Sequence, residues 1–333
     1  MVDVSAPPLP AAIQIEVTSA CNLRCAMCLV RYRPPVNKIS GAMSLAMFRR
    51  VLDDLPDVRE VTLQGLGEPL LAPDLLAMVR HAKRRGARVG FNSNATLLSP
   101  AKSRELVDAG LDWLHVSLDG AGPAGYEAIR EGASFERVVA NLRGLVAARA
   151  AAGRVTPWIR VVFVAMRRNI GELPALVELL GAVGVEELRV QNLSHTFADT
   201  DPAGAYADIR AFAADQALWT GADRAAADEA FADAEGVAER VGVHLRTPRT
   251  EATEGRTGRC TWPWDSAYIT SAGVVQPCCM VMGDDRVSLG RLDERPFAEI
   301  WAGPEYREFR HRLAGPGEPP EVCRGCALYQ GTF

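Results

Sequence analysis

The sequence predicts an α/β protein: a partial (βα)6 barrel followed by a small cysteine-rich C-terminal unit. Three observations carry that expectation. Six short runs rich in β-branched residues alternate with amphipathic stretches between residues 13 and 192, the pattern of parallel strands joined by crossover helices. Three cysteines follow the first run at Cys21, Cys25 and Cys28. All other cysteines lie beyond residue 259, where Gly, Pro and Trp also return.

The strand candidates are 13–18, 60–64, 88–92, 113–118, 158–164 and 187–191. Between them, 44–55, 73–85, 100–109, 135–152 and 172–183 place apolar residues every three or four positions, as helices packed on a sheet do. In βα barrels the reactive groups gather at the C-terminal strand ends. Cys21, Glu68, Asn94, Asp119 and Asn192 each follow a strand candidate closely and are expected at one mouth. Residues 196–258 differ, being rich in Ala, Asp and Gly with helical patterns at 203–218 and 223–241. They read as a helical connector, either a lid over the barrel or a passive spacer. From 259 onward the chain reads as a hairpin over 267–276, a helix over 297–313 and a Cys323-x-x-Cys326 hook. The expected units are 1–195, 196–258 and 259–333.

At 333 residues with 48% apolar and 23% charged side chains, the composition is that of an ordinary globular protein with a sizeable core. A net charge of −4 supplies no basic footprint for nucleic acid. The start of the chain has no secretory signal pattern, and no apolar run is long enough to span a membrane. Eight cysteines in such a chain point to metal ligation rather than disulfides. The expectation is a cytoplasmic protein with neither nucleic-acid nor membrane partners.

The spacing Cys21-x-x-x-Cys25-x-x-Cys28 holds three thiolates close enough to ligate three irons of one [4Fe–4S] cube. Such clusters usually take four cysteines, so one iron is left open to a small molecule. Zinc prefers paired CxxC arms and four closed ligands. On these residues, with Asn22 after the first cysteine and Met27 in the usual aromatic place, the chain resembles the radical SAM superfamily. The resemblance implies that the open iron chelates S-adenosylmethionine, whose reductive cleavage yields a 5′-deoxyadenosyl radical. It also implies cofactor contacts along the barrel. Gly67, Glu68 and Pro69 stand where a GGEP-like segment receives the methionine amino group, with Leu66 replacing a glycine. Asn94 lies in a TNGT-like segment with Ala95 at the usual glycine, and Ser117 and Asp119 fall in the fourth-strand segment. Arg130, in a Tyr-x3-Arg-x-Gly pattern, is expected to face the methionine carboxylate, and Asn192 follows the sixth strand. Met27 would cover the adenine.

Cys260, Cys278, Cys323 and Cys326, with Gly273 five residues before Cys278, resemble the twitch domain, the short relative of the SPASM domain. Four cysteines alone fit a structural zinc site; the resemblance implies a second [4Fe–4S] cluster instead. Cys279 is the spare, either a core thiol or a hydrogen donor to a substrate radical. With seven cysteines assigned to clusters, only Cys279 is left to return hydrogen, which favours oxidation; the resemblance implies a secondary alcohol on a sugar-like or aminocyclitol substrate, with the auxiliary cluster as electron acceptor and a flavodoxin- or ferredoxin-type donor. Aminoglycoside epimerisation through Cys279 is the alternative. Oxidation needs a base, for which His195 is the candidate and Asp199 and Asp201 weaker ones. A peptide is the rival substrate; the twenty residues before Cys21 leave no room for a leader-binding domain, so a separate partner would have to supply one.

Overall fold

The computed structural model describes residues 7–32, 41–220, 224–251, 260–281 and 285–333. Six strands fall where the alternation placed them: β1 (Ala12–Ile15), β2 (Glu60–Thr62), β3 (Arg88–Ser93), β4 (Trp113–Ser117), β5 (Trp158–Ala165) and β6 (Glu187–Asn192). Each pairs in parallel with the next. Helices Leu45–Asp53, Pro100–Asp108 and Phe135–Ala151 begin where Ser44, Ser99 and Ser134 each accept the backbone N–H three residues on, covering a donor the helix cannot satisfy itself.

The strands show two faces. Val61, Val89, Phe91, Leu114, Val116, Ile159, Val161, Phe163, Leu188 and Val190 point outward and are buried beneath the helices. At about 1.5–3 kcal/mol for each large apolar side chain removed from water, this layer holds the barrel closed. The alternate positions face the interior and are mostly polar.

Beyond β6 the structure differs from the expected connector. Helix Arg224–Val241 packs against helix Leu173–Val183, so closely that a Cβ on Gly181 would stand 2.7 Å from the Val241 Cβ. It delivers β7 (His244–Arg246), which pairs in parallel with β6. Part of 196–258 is therefore a seventh barrel unit rather than a lid, built on an Ala-rich helix whose small side chains permit close packing. The expected boundary at 258/259 lies outside the described residues. On the other edge, β8 (Ser266–Ile269) pairs in parallel with β1, and β9 (Val274–Gln276) and β10 (Gly290–Arg291) continue antiparallel. One ten-stranded sheet, ordered β10-β9-β8-β1-β2-β3-β4-β5-β6-β7, thus runs through barrel and C-terminal unit. The helix expected over 297–313 is two, Phe297–Trp301 and Pro304–Ala314, because Pro304 suits a first-turn position and not a helix interior. Among the described residues no helix is long and apolar enough to cross a membrane.

The C-terminal hook docks on the chain leaving β6. Thr196 N donates to Gly325 O at 2.9 Å and Ala327 N to Ser194 O at 3.0 Å, with His195 opposite Cys326. A Cβ at Gly325 would lie 2.5 Å from Thr196 Oγ1 and 2.9 Å from His195 Cε1. Gly325→Ala should therefore push the hook off its seat, at a cost of about 1–3 kcal/mol. We expect a lower Tm and a loss of about half the bound iron, with the iron-to-protein ratio as the measurement.

Candidate active site

The Cys21–Cys28 loop is held from three sides. Arg24 N and Ala26 N donate to the carbonyls of Glu131 and Ile129 at 3.0 and 2.8 Å, fixing it against the chain that carries Arg130. Glu68 N donates to Ala20 O at 2.8 Å, and a Cβ at Gly67 would fall 2.2 Å from Thr18 O, so only glycine allows this approach. Asn94 Nδ2 donates to Asn22 Oδ1 at 3.0 Å and points at Cys21 Sγ at 3.9 Å. The three thiols face one another. Burial raises all three, Cys28 to about 12, against the opposing pull of the Leu23 N–H at Cys21 and of Arg130 at Cys25. Thiols so disposed shed protons only when iron replaces them. Donors aimed at sulfur, from Leu23 N at 3.4 Å and Arg130 Nη1 at 3.7 Å, suit a cluster's charge. The residues therefore fit a [4Fe–4S] cluster on Cys21, Cys25 and Cys28.

The expected cofactor contacts divide into two groups. Met27 is half-buried on the cavity wall, against the Ile129, Met166 and Leu193 group. Ser117 ends β4 on the interior face, and Pro69 starts a short 3-10 turn behind the loop. These remain open to a ligand or frame one. Glu68 is different: its oxygens accept from Ser93 Oγ at 2.8 Å, Asn94 N at 2.7 Å and Leu70 N at 3.1 Å. It braces the neighbouring strand ends, although burial raises its pKa. Asp119 likewise accepts from Arg130 Nε at 2.6 Å and Val164 N at 2.7 Å, and burial raises it. In this arrangement it aims Arg130 at Cys25. Asn192 donates to the Thr332 and Arg249 carbonyls at 2.6 and 2.9 Å, so its amide ties the C-terminal segment to the barrel. Ala95, at the position where glycine was expected, is indeed in the left-handed region at φ 57°.

His195 does not reach the cavity. Its Nε2–H donates to Val322 O at 2.7 Å and its Nδ1 accepts from Phe197 N at 2.9 Å. Burial and nearby Arg286 lower it to about 4. With both nitrogens committed it holds the hook and is not placed as a base. Asp199 pairs with Arg286 at 2.5 Å, and Asp201 Oδ1 accepts from Ala203 N.

Cys260, Cys278, Cys323 and Cys326 converge. Burial raises Cys278 well above the ordinary thiol range, with charge on Cys279, Cys326, Cys323 and Cys260 adding to it. Cys323 and Cys326 rise to about 12 and about 11, again through burial first. Among the described residues no three such side chains close on a single metal ion.

Between the two cysteine sites lies a cavity of about 600 Å³ inside the barrel. Met27 lines one part of it, and Cys279 and Met280 line another. Gln14, Thr62, Gln64, Asn92, His115, Arg160, Arg189 and Gln191 supply a polar wall. Sequence reading missed these residues. Their signal was present: a strand buried on both faces reads as continuously apolar, whereas here the inward positions alternate as polar. Glu16 was also missed. It accepts from Leu66 N at 2.9 Å, Tyr268 Oη at 3.0 Å, Ser271 N at 3.1 Å and Ser271 Oγ at 2.8 Å, joining the cofactor loop to the C-terminal hairpin.

Comparison with known proteins agrees with this geometry. A Radical SAM superfamily model matches residues 15–155, and an iron–sulfur cluster-binding domain model, SPASM, matches 260–327. The chain thus carries a radical SAM domain followed by a C-terminal SPASM-type domain. These domains imply S-adenosylmethionine, a [4Fe–4S] cluster and auxiliary iron–sulfur binding. The tungsten-containing aldehyde ferredoxin oxidoreductase cofactor-modifying protein of Pyrococcus furiosus is 33% identical over 185 residues, which is 54% of this chain and about half (51%) of that relative's length. The AdoMet-dependent heme synthase of Methanosarcina barkeri is 27% identical over 95% of this chain and 91% of its own. The PqqA peptide cyclase of Streptomyces rochei is 29% identical over 95% and 81%. Among solved structures, Streptococcus suis SuiB bound to S-adenosylmethionine shares the fold, with TM-score 0.68 at 17% identity over 97% of this chain and 72% of that one.

One pH effect follows from the cavity wall. His115 Nδ1–H donates to Asn92 Oδ1 at 3.0 Å, and Nε2 accepts from Arg160 Nη1 at 3.2 Å, so the ring is neutral. Burial and Arg160 lower its pKa to about 3 from an ordinary 6.5. Below about pH 6.5 the unfolded chain takes up a proton the folded one refuses. Stability present above that pH should then fall by up to about 1.4 kcal/mol per unit as pH drops towards 3. Urea midpoints between pH 7 and pH 5 measure this, and His115→Gln should flatten the slope.

Proposed function

We propose that this enzyme oxidises a polar substrate in the barrel cavity by two electrons, converting a secondary alcohol to a ketone. The observation that supports this best is that one cavity is lined by the chain neighbours of both cysteine sites, Met27 before Cys28 and Cys279–Met280 after Cys278. When bound, the N-terminal cluster and S-adenosylmethionine supply a radical that abstracts hydrogen, and the auxiliary cluster supplies an electron acceptor. The residues do the rest. Arg130, held by Asp119, sets the charge beside Cys25, and Glu16 fixes the cofactor loop against the C-terminal hairpin. Gln14, Gln64, Asn92 and Gln191 offer donors and acceptors suited to hydroxyl groups. Oxidation would take one hydrogen atom from carbon, one electron, for which the auxiliary cluster would serve as acceptor, and the hydroxyl proton, which would pass to water. Substrate loses two hydrogens in all. A flavodoxin- or ferredoxin-type protein is the proposed electron donor.

Two other readings have an observation behind them. Cys279 lies on the cavity wall with its thiol pushed up to about 12, first by burial. It therefore keeps the hydrogen that an epimerase would return to carbon. A peptide side chain as substrate draws support from the likeness to a peptide cyclase. Anaerobic turnover with reductant separates the first two. Cys278→Ser should keep 5′-deoxyadenosine release but lose at least tenfold of the product lighter by two daltons, while Cys279→Ala keeps that product. Solvent deuterium in a product of unchanged redox state, abolished in Cys279→Ala, would replace oxidation with epimerisation.

A further inference from the structure

The cavity wall carries more positive than negative side chains, and among the described residues one of its guanidinium groups has no ion-pair partner. Three guanidinium groups, from Arg88, Arg160 and Arg189, line it. Arg88 pairs with Glu60 at 3.5 Å. Arg160 brings Nε and Nη2 within 3.0 Å of Glu187, which Arg246 also approaches at 3.0 Å from the outer side. Glu187 is thus shared between two arginines, with Trp158 Nε1 donating to it at 3.2 Å. Arg189 sits at the adjoining inward position of β6, its backbone in register with Val162 and Arg246. Among the described residues no carboxylate lies within ion-pair distance of it, and its neighbour is the Phe333 ring, 5.6 Å from the guanidinium carbon. Burial and the charges of Arg160 and Arg246 lower its affinity for its proton, with the more distant Glu187 opposing them only in part.

We propose that Arg189, with Gln191 beside it on the same strand face, is an anion subsite that takes a carboxylate or phosphate group of the substrate. The inference rests on reading the barrel cavity as the substrate site. A guanidinium presents its N–H groups as a planar fork matched to either oxyanion, and here that fork is not occupied by the protein. A half-buried cation also gains more from such a partner than an exposed one, because water screens the pair less. The same electrostatics bear on the expected aminocyclitol: its ammonium groups would enter a cavity whose lining carboxylate, Glu60, is already paired. The subsite favours an acidic, hydroxyl-bearing substrate.

The test uses four probes that share a hydroxylated chain and differ in charge: gluconate, glucose 6-phosphate, glucose and glucosamine. Each is titrated calorimetrically into the full chain, reconstituted with its clusters and S-adenosylmethionine. At least one anion should bind tenfold or more tightly than glucose, with glucosamine weakest; which anion wins distinguishes carboxylate from phosphate. Arg189→Met should abolish the preference, while the surface variant Arg307→Met leaves it intact. Should the Met variant fail to fold, Arg189→Lys keeps the charge but loses the fork, and should weaken anion binding threefold or more with glucose unchanged. Equal binding of anions and glucose by the unaltered protein, or an anion preference that survives at Arg189→Met or is undiminished in Arg189→Lys, would overturn the proposal. Release of 5′-deoxyadenosine without substrate, measured on the same samples, reports on the radical chemistry separately.

Discussion

A single buried carboxylate ties the two halves of this enzyme together. Glu16 stands just past β1, the strand flanked by β2 of the barrel and β8 of the C-terminal unit. It receives donors from the loop at Leu66 on one side and from Tyr268 and Ser271 on the other. Hydrogen bonds to a charged group contribute about 1.5–3 kcal/mol each, and a buried carboxylate without them would be costly. The anion therefore fixes the distance between the cofactor loop and the hairpin leading to Cys278. A Cβ at Gly65 would lie 2.2 Å from Glu16 Cγ, so the loop can close on the carboxylate only without a side chain there.

The same economy of fixed parts governs the cavity. The sheet continues from β10 to β7 without interruption, so the two cysteine sites are mounted on one rigid element. The clamp at the far edge is the hook, where Ser194 and Thr196 pair with Gly325 and Ala327 and His195 holds the Val322 carbonyl. Arg286, between Asp199 and the rings of Phe197 and Tyr206, ties the Val281 carbonyl to this edge as well. These contacts hold the C-terminal cysteine site in a fixed place against the barrel.

Much of this was legible in the sequence because it follows from periodicity and spacing. The six strands, the helices between them and both cysteine sets belong to that kind of information. What was illegible depended on which partner a polar side chain finds in three dimensions. Glu68, Asp119 and Asn192 were expected at the cofactor, yet the carboxylates of the first two accept from Ser93 and Asn94 and from Arg130 and Val164, and the Asn192 amide nitrogen is spent on the carbonyls of Arg249 and Thr332, leaving only its Oδ1 unpartnered on the cavity wall. His195 looked like a base because it follows a barrel strand; only the docked hook shows its ring enclosed. The seventh strand was hidden because β7 has three residues and follows an Ala-rich helix with little amphipathic contrast. Arg189 was hidden because an arginine within a strand looks the same whether it faces solvent or a cavity.

The most direct test of a second redox centre facing the shared cavity is the Mössbauer spectrum of anaerobic protein in which Cys21, Cys25 and Cys28 are all Ala. The account predicts a remaining [4Fe–4S] signal of about one cluster per chain, held by Cys260, Cys278, Cys323 and Cys326. A folded variant without iron, or with zinc on those four cysteines, would contradict it, because the substrate's second electron would then have no acceptor.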